Sequence, residues 1–298
     1  MATAFPHSAF LTSVSRQLRA RFASQHGIND CRHSRSWWSR LRRKSRGVRL
    51  EGSLYCLEHC LLNILQESVD RQRSSASRIP SRHRVPLGLV LLSRQQVTAE
   101  QLRTALETQR TAGRGRIGEW LQALGFVGEE EITAALARQW SCPVLRTTLP
   151  PPGPNRLPEI PLTLLQSYTM TPVDFIQARA TLHVAFAERI DYSVLHALER
   201  MLDCRTEPCM ATPSQVHNRL QLLFRHRRDR DRVFERVDGT AEAARIIHSY
   251  CVRVSPVEVR LSSISGDLWV RLLREDGDPF DLMIKVTRSA EFLMPPTR

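Results

Sequence analysis

Lysine is almost missing from this chain: of 43 basic residues only Lys44 and Lys285 are not arginine. Neither follows a glycine, so the P-loop G-x-x-x-x-G-K-[ST], whose lysine grips nucleotide phosphates, has no place here. A motor of that class is excluded and no ATP site is expected. No run of about eighteen apolar residues occurs, so no helix is expected to span a bilayer. Ala9 to Val14 is too short for a signal-peptide core. Cysteines number seven, odd and scattered, which argues against a secreted disulfide framework and for a reducing, cytoplasmic setting. There is also no G-x-S-x-G, no H-E-x-x-H and no convincing pairing of nucleophile with base, so no enzyme is expected.

What is plentiful is positive charge, +13 in all, but it is unevenly placed. Residues 1–50 hold eleven Arg or Lys against one acid, Asp30, and the other 248 residues are nearly neutral. A basic surface favours anionic partners in general. Trp37 and Trp38 lie among seven basic residues between Arg35 and Arg49, which would suit RNA or acidic lipid, yet an arginine-rich disordered loop explains them more simply. Nucleic acid is not the expected partner.

Four regions follow from composition. Residues 1–83 read as a basic leader with a helix candidate at Leu54 to Arg73, closed by the Ser/Arg/Pro linker RSSASRIPSRHR. Residues 84–148 carry two helical pairs. Residues 149–226 open on the proline-rich LPPPGPNRLPEIP and continue as a small α/β unit: strands TPVDFI and TLHVAFA, a helix from the Asp191 cap, a strand RTEPCMA and a helix PSQVHNRLQLLF. In residues 227–298 the mixed-charge run Arg225 to Arg236 reads as a solvated helix or linker. A helix at Ala241 to Val254 and antiparallel strands with turns at Gly266 and Gly277 follow. The expected class is α+β: tandem helical hairpins, a small α/β subdomain and a small C-terminal α/β unit.

Within 84–148 the sequence repeats itself. Shifting PLGLVLLSRQQVTAEQLRTALETQ by thirty residues lays it on RIGEWLQALGFVGEEEITAALARQ. Gly88 meets Gly118, Leu91 meets Leu121, Val97 meets Val127, Ala105 meets Ala135, Leu106 meets Leu136 and Gln109 meets Gln139. Thr98 with Gln101 forms a capping-box pattern, and in the second copy Gly128 is followed by three glutamates in the first turn, complementing the helix dipole. The leucines need no explanation beyond packing of two amphipathic hairpins. The glycines do, because glycine inside a helix costs about 1 kcal/mol relative to alanine; a missing Cβ lets backbone approach something closely.

The doubled pattern L-G-x-x-L-x-x-x-G, six residues, then L-x-x-A-L-x-x-Q resembles the N-terminal domain of type II secretion and type IV pilus assembly ATPases, the MshEN type. Together with PVDFIQARATLHVAFAERIDYSVLHALERML the resemblance covers about Arg84 to Phe224. It implies a regulatory front end without the motor, binding the messenger cyclic di-GMP and signalling to a secretion or pilus ATPase or its inner-membrane platform. Carried over, the ligand residues are Arg84, Leu87, Gly88, Leu91 and Gln109 in the first copy, and Arg114, Arg116, Ile117, Gly118, Leu121, Gly125, Leu136 and Gln139 in the second. The first copy departs at two places: Gln95 stands where the second glycine belongs, and Pro86 where an arginine is expected. An interaction module of the same fold without nucleotide binding is the alternative.

Cys31, His33, Cys56 and Cys60 offer three thiolates and an imidazole, a set that suits tetrahedral zinc. His26 and His59 compete for the same role, and a reduced cysteine also serves as a small buried hydrophobe. His183, flanked by apolar residues, reads as a core or edge histidine.

Overall fold

A computed structural model describes residues 47–57, 60–76, 84–146, 157–226 and 231–287. Their elements, in chain order, are β1 (Gly47–Leu50), β2 (Ser53–Cys56), α1 (Cys60–Ala76), α2 (Leu87–Ser93), α3 (Ala99–Ala112), α4 (Ile117–Ala123), α5 (Glu129–Trp140), α6 (Leu162–Ser167), β3 (Met170–Ile176), β4 (Thr181–Phe186), α7 (Tyr192–Leu202), β5 (Arg205–Met210), α8 (Pro213–His226), β6 (Asp231–Asp238), α9 (Gly239–Val254), β7 (Glu258–Ile264), β8 (Asp267–Leu273) and β9 (Pro279–Thr287). The chain is thus a mixed α and β protein. Its described residues divide into two compact units, one from within 47–72, 234–261 and 268–287, the other from within 73–233 and 262–267.

The first unit is built on a six-stranded sheet of order β2-β1-β7-β8-β9-β6. Glu51 and Gly52, both at positive φ (50° and 84°), close the β1–β2 hairpin, the geometry that matches strand twist in a two-residue loop. This corrects the reading of residues 1–83 as a leader apart from 227–298, and of Leu54 as the start of a helix. β1 pairs in parallel with β7 through Arg49↔Glu258 and Leu50↔Val259. Val48, Leu50, Leu61, Leu65 and Val69 share one core with Val237, Ile247, Val259 and Leu268. A two-stranded hairpin cannot bury a face alone, so its strands are stable only beside partners two hundred residues away. The mixed-charge run also changes character: from Asp231 it is the edge strand β6, whose mostly exposed residues discourage further pairing. On β8 and β9, buried Asp281 accepts from Arg271 Nε and Nη2 and from Trp269 Nε1, all at 2.8 Å, so this buried carboxylate is fully partnered.

In the second unit, α2 to α5 surround a core of Leu91, Val97, Leu102, Ala105, Leu121, Val127 and Ala135. The helices interlock: α2 packs chiefly on α5 and α4 on α3, so each first helix leans on the other copy's second helix. Thr98 and Gln101 form the capping box in both directions, at 3.2 and 2.9 Å. Beyond α6, β3 pairs antiparallel with β4, and β4 pairs parallel with β5 across α7, whose cap Asp191 accepts from the Ser193 amide at 2.9 Å. The outer edge of β5 is closed off. Met210 exchanges bonds with Pro143 and Leu145, the Thr206 amide donates to Glu199 at 3.0 Å, and Pro208 has no amide to offer.

Candidate functional site

A cavity of about 360 Å³ opens in the second unit where α4 and α5 face the turn after β4. Six of the thirteen ligand residues inferred from the doubled motif line it: Leu87, Arg116, Ile117, Gly118, Leu136 and Gln139. Arg116 precedes α4, and its amide donates to Glu119 at 3.2 Å, which closes the first turn of a helix without a hydroxyl cap. From there its guanidinium forms an ion pair with Glu188, which comes from the far side of the cavity. Both side chains are about half exposed, at 55% and 40%, so solvent screens the pair to about 0–1 kcal/mol and a ligand competes with it readily.

The other seven residues do not line it, and packing says why. Leu91 and Leu121 are fully buried in the helical core. A Cβ at Gly88 would come within 2.7 Å of Leu102 Cδ1; one at Gly118 would meet Leu87 at 3.2 Å and Ile132 at 3.5 Å. These glycines make room for neighbouring side chains rather than, in the first instance, for a ligand. Gly125 has nothing within 4 Å of a built Cβ and adopts φ 70°. It follows α4 as the left-handed residue of a helix-ending turn, with Phe126 N donating to Leu121 O and Gly125 N to Gln122 O. Gln95 ends α2 through the same two bonds, Gln96 N to Leu91 O and Gln95 N to Leu92 O, at φ 58°. The motif's second glycine therefore meets a backbone requirement.

The glutamines too have structural partners. Gln109 Nε2 donates to Gly115 O at 2.8 Å and Gln139 Nε2 to Val85 O at 2.6 Å. Val85 and Gly115 are themselves thirty residues apart, so each copy's glutamine ties down the approach to the other copy's first helix. Arg114 is exposed and its carbonyl accepts from Trp120 Nε1 at 3.0 Å. Arg84 lies on the face of Trp140, 3.4 Å from the ring centroid.

Residues that the motif did not supply also line the cavity, among them Gln122, Glu129, Trp140, Glu188 and Arg189. Trp140 directly follows Gln139, and the aromatic beside the motif was a legible signal. Glu188 and Arg189 had none, since only the fold brings a turn 72 residues away onto Arg116. Two carboxylates here are already committed: Glu119 to the Arg116 amide, and Glu129 to Ser214 N and Oγ at 2.9 and 3.0 Å. Arg189 Nη2 lies 3.5 Å from Asp191.

A second cavity of about 400 Å³ lies on the opposite side of Trp140 in sequence, lined in part by Cys142, His183, Glu207 and Cys209. His183 Nε2 lies 3.2 Å from Glu207. Burial pushes the Cys142 thiol up to about 11 and the Cys209 thiol up to about 12, leaving both protonated at neutral pH and poor nucleophiles. Of the proposed zinc set, Cys31 and His33 lie outside the described residues, as does the side chain of Cys56, while Cys60 opens α1. Among the described residues no three His, Cys, Asp or Glu gather as a metal site, and no helix is long and apolar enough to cross a membrane.

No protein-family model matches the chain, and no curated protein does. Among solved structures, that of MshE with cdg is 27% identical, with a TM-score of 0.41, and the match covers 47% of this chain and 99% of that one. Two structures of the N-terminal domain of XpsE are 18% and 21% identical, with TM-scores of 0.34 and 0.29, covering 51% and 44% of this chain and 94% and 89% of theirs. The chain resembles the N-terminal domain of the secretion and pilus ATPases. At these TM-scores the weight of that resemblance rests on the doubled motif.

Proposed function

We propose that this protein is a non-catalytic regulatory module that binds cyclic di-GMP in the α4–α5 cavity and passes occupancy to a secretion or pilus partner, an assembly ATPase or its inner-membrane platform, in the cytoplasm. The observation that carries the reading is the convergence of Arg116, Gly118, Leu136 and Gln139 of the second motif copy on one cavity, joined by Arg189 and the Trp140 ring. A dianionic dinucleotide needs cations and flat apolar surface, and arginine supplies charge and a stacking plane together. The volume is at the lower end of small-molecule sites, enough to bury one nucleotide half, which suits a chain whose second copy alone keeps the arginine.

Calorimetric titration of the full chain with cyclic di-GMP tests this. Binding of one dinucleotide per chain is expected. Arg116→Ala removes a charge-assisted hydrogen bond and weakens binding by about tenfold to more than a hundredfold. No heat at ligand concentrations of tens of micromolar, or an unchanged affinity in the variant, overturns the reading.

A second reading keeps the fold as a protein-interaction module that has lost the nucleotide. It is favoured by Glu188, which neutralises Arg116, and by Pro86 in place of the first copy's arginine. It predicts a complex with the assembly ATPase or platform that forms equally well with and without cyclic di-GMP.

A further inference from the structure

A β-sheet ends in a strand whose outer N–H and C=O groups have no ladder partner, and folds usually blunt that edge with proline, charge or a covering loop. In the second unit the strand beside β5 is the short segment Pro143 to Leu145, bridged to it in parallel at Val144↔Met210. Met210 N donates to Pro143 O at 2.9 Å and Leu145 N to Met210 O at 2.7 Å, so the groups that face β5 belong to Pro143 and Leu145. Backbone direction alternates along a paired strand, and the amide and carbonyl of Val144 therefore point away from β5. Neither has a hydrogen-bond partner among the described residues, and Val144 is 44% exposed. Pro143 does not blunt this edge, since the donor it lacks would have faced β5.

The edge overlooks the second cavity, of about 400 Å³. Val144, Trp140 and Tyr192 line it with apolar and aromatic surface, the two rings 6.3 Å apart, and Arg146 adds charge. Of the other ionisable groups there, Glu207 lies 3.2 Å from His183 Nε2, whereas the exposed Arg146 side chain has no partner among the described residues. Val144 and Arg146 stand two residues apart, the spacing at which strand side chains share a face. Strand addition by a peptide uses these parts: main-chain bonds supply affinity, and alternate side chains supply specificity.

We propose that this edge docks an extended segment of a partner protein, one that carries an apolar residue opposite Val144 and an acidic residue opposite Arg146, two positions away. The site stands whether or not the α4–α5 cavity takes a nucleotide, because it uses none of that cavity's charged residues.

The test is fluorescence polarisation of a labelled, end-capped heptapeptide, threonine–aspartate–threonine–valine–threonine–aspartate–threonine, with the full chain, and thermal melting as the folding control. Its symmetry places valine and aspartate two positions apart in either strand direction. Saturable binding is expected, with slowed hydrogen exchange at the Val144 amide. Of two peptides N-methylated on alternate residues, one is expected to bind about tenfold or more weaker than the other, since only one set of amides faces the edge. Arg146→Glu is expected to weaken the aspartate peptide by a similar factor and to confer binding of its lysine counterpart, at an unchanged melting temperature. No binding at about 1 mM peptide, or equal binding of the two methylated peptides, overturns strand addition. An edge arginine also serves to keep strands apart; an Arg146→Glu chain that binds the aspartate peptide as well as the wild type does shows that role and overturns the proposal. A protected Val144 amide without peptide, together with a dimeric mass in sedimentation, means that a second copy occupies the edge and overturns it too.

Discussion

Laid side by side, the two motif copies share most of the residues that pack and differ most in the charged and polar residues at the cavity. Leu91 and Leu121 are equally buried, the turns after α2 and α4 carry the same two backbone bonds, and the two glutamines hold matching carbonyls. Yet where the second copy has Arg116, Glu119, Gln122 and Glu129, the first has Pro86, Leu89, Leu92 and Ala99. The residues that make the repeat visible are thus mainly those that make the fold. The charge at the site comes from residues the repeat does not share, beside Gly118, Leu136 and Gln139, which it does.

Four pairs of substitutions break or sharpen that contrast. The largest effect is expected from Leu91→Ala and Leu121→Ala, each costing about 2–5 kcal/mol because a fully buried leucine leaves a cavity. Urea unfolding should give similar losses for the two, and a stable Leu121→Ala chain with impaired ligand binding would restore Leu121 to the site. Next is Gly88→Val, where the built Cβ already lies 2.7 Å from Leu102 and overpacking costs about 1–3 kcal/mol. Thermal melts should show Gly118→Ala to be milder, since its nearest contact is 3.2 Å.

The turn residues come third. Gly125→Gln forces a side chain into the left-handed region and costs about 1–2 kcal/mol. Gln95→Gly relieves the same strain and is expected to raise stability, by less because the unfolded chain gains freedom. An opposite sign at either position would mean that the turns differ after all. Smallest is Gln109→Ala, which gives up one hydrogen bond to Gly115 O, worth about 0.5–1.5 kcal/mol. It should shift unfolding and leave cyclic di-GMP affinity alone, whereas Gln139→Ala, at the cavity, changes both.

Local chemistry was readable in the sequence. The Thr98 capping box, the Asp191 cap and the alternation of TLHVAF each act within a few residues, so the string of letters contains their cause. What was misread acts at a distance. Nothing in the sequence says that Leu102 fills the space above Gly88. β1 and β2 looked like part of a leader because their partner strand β7 lies two hundred residues on.

By itself, then, the sequence determined the paired helices of residues 84–146 with their caps, and the strands and helices from Met170 to His226, but not the short helix α6. Periodicity and capping are both short-range properties. The tertiary structure alone decided that the hairpins interlock, that half the motif is core, and that Arg116 meets Glu188. Those outcomes depend on which surfaces bury each other, and a free-energy balance of that kind is struck between segments far apart in the chain.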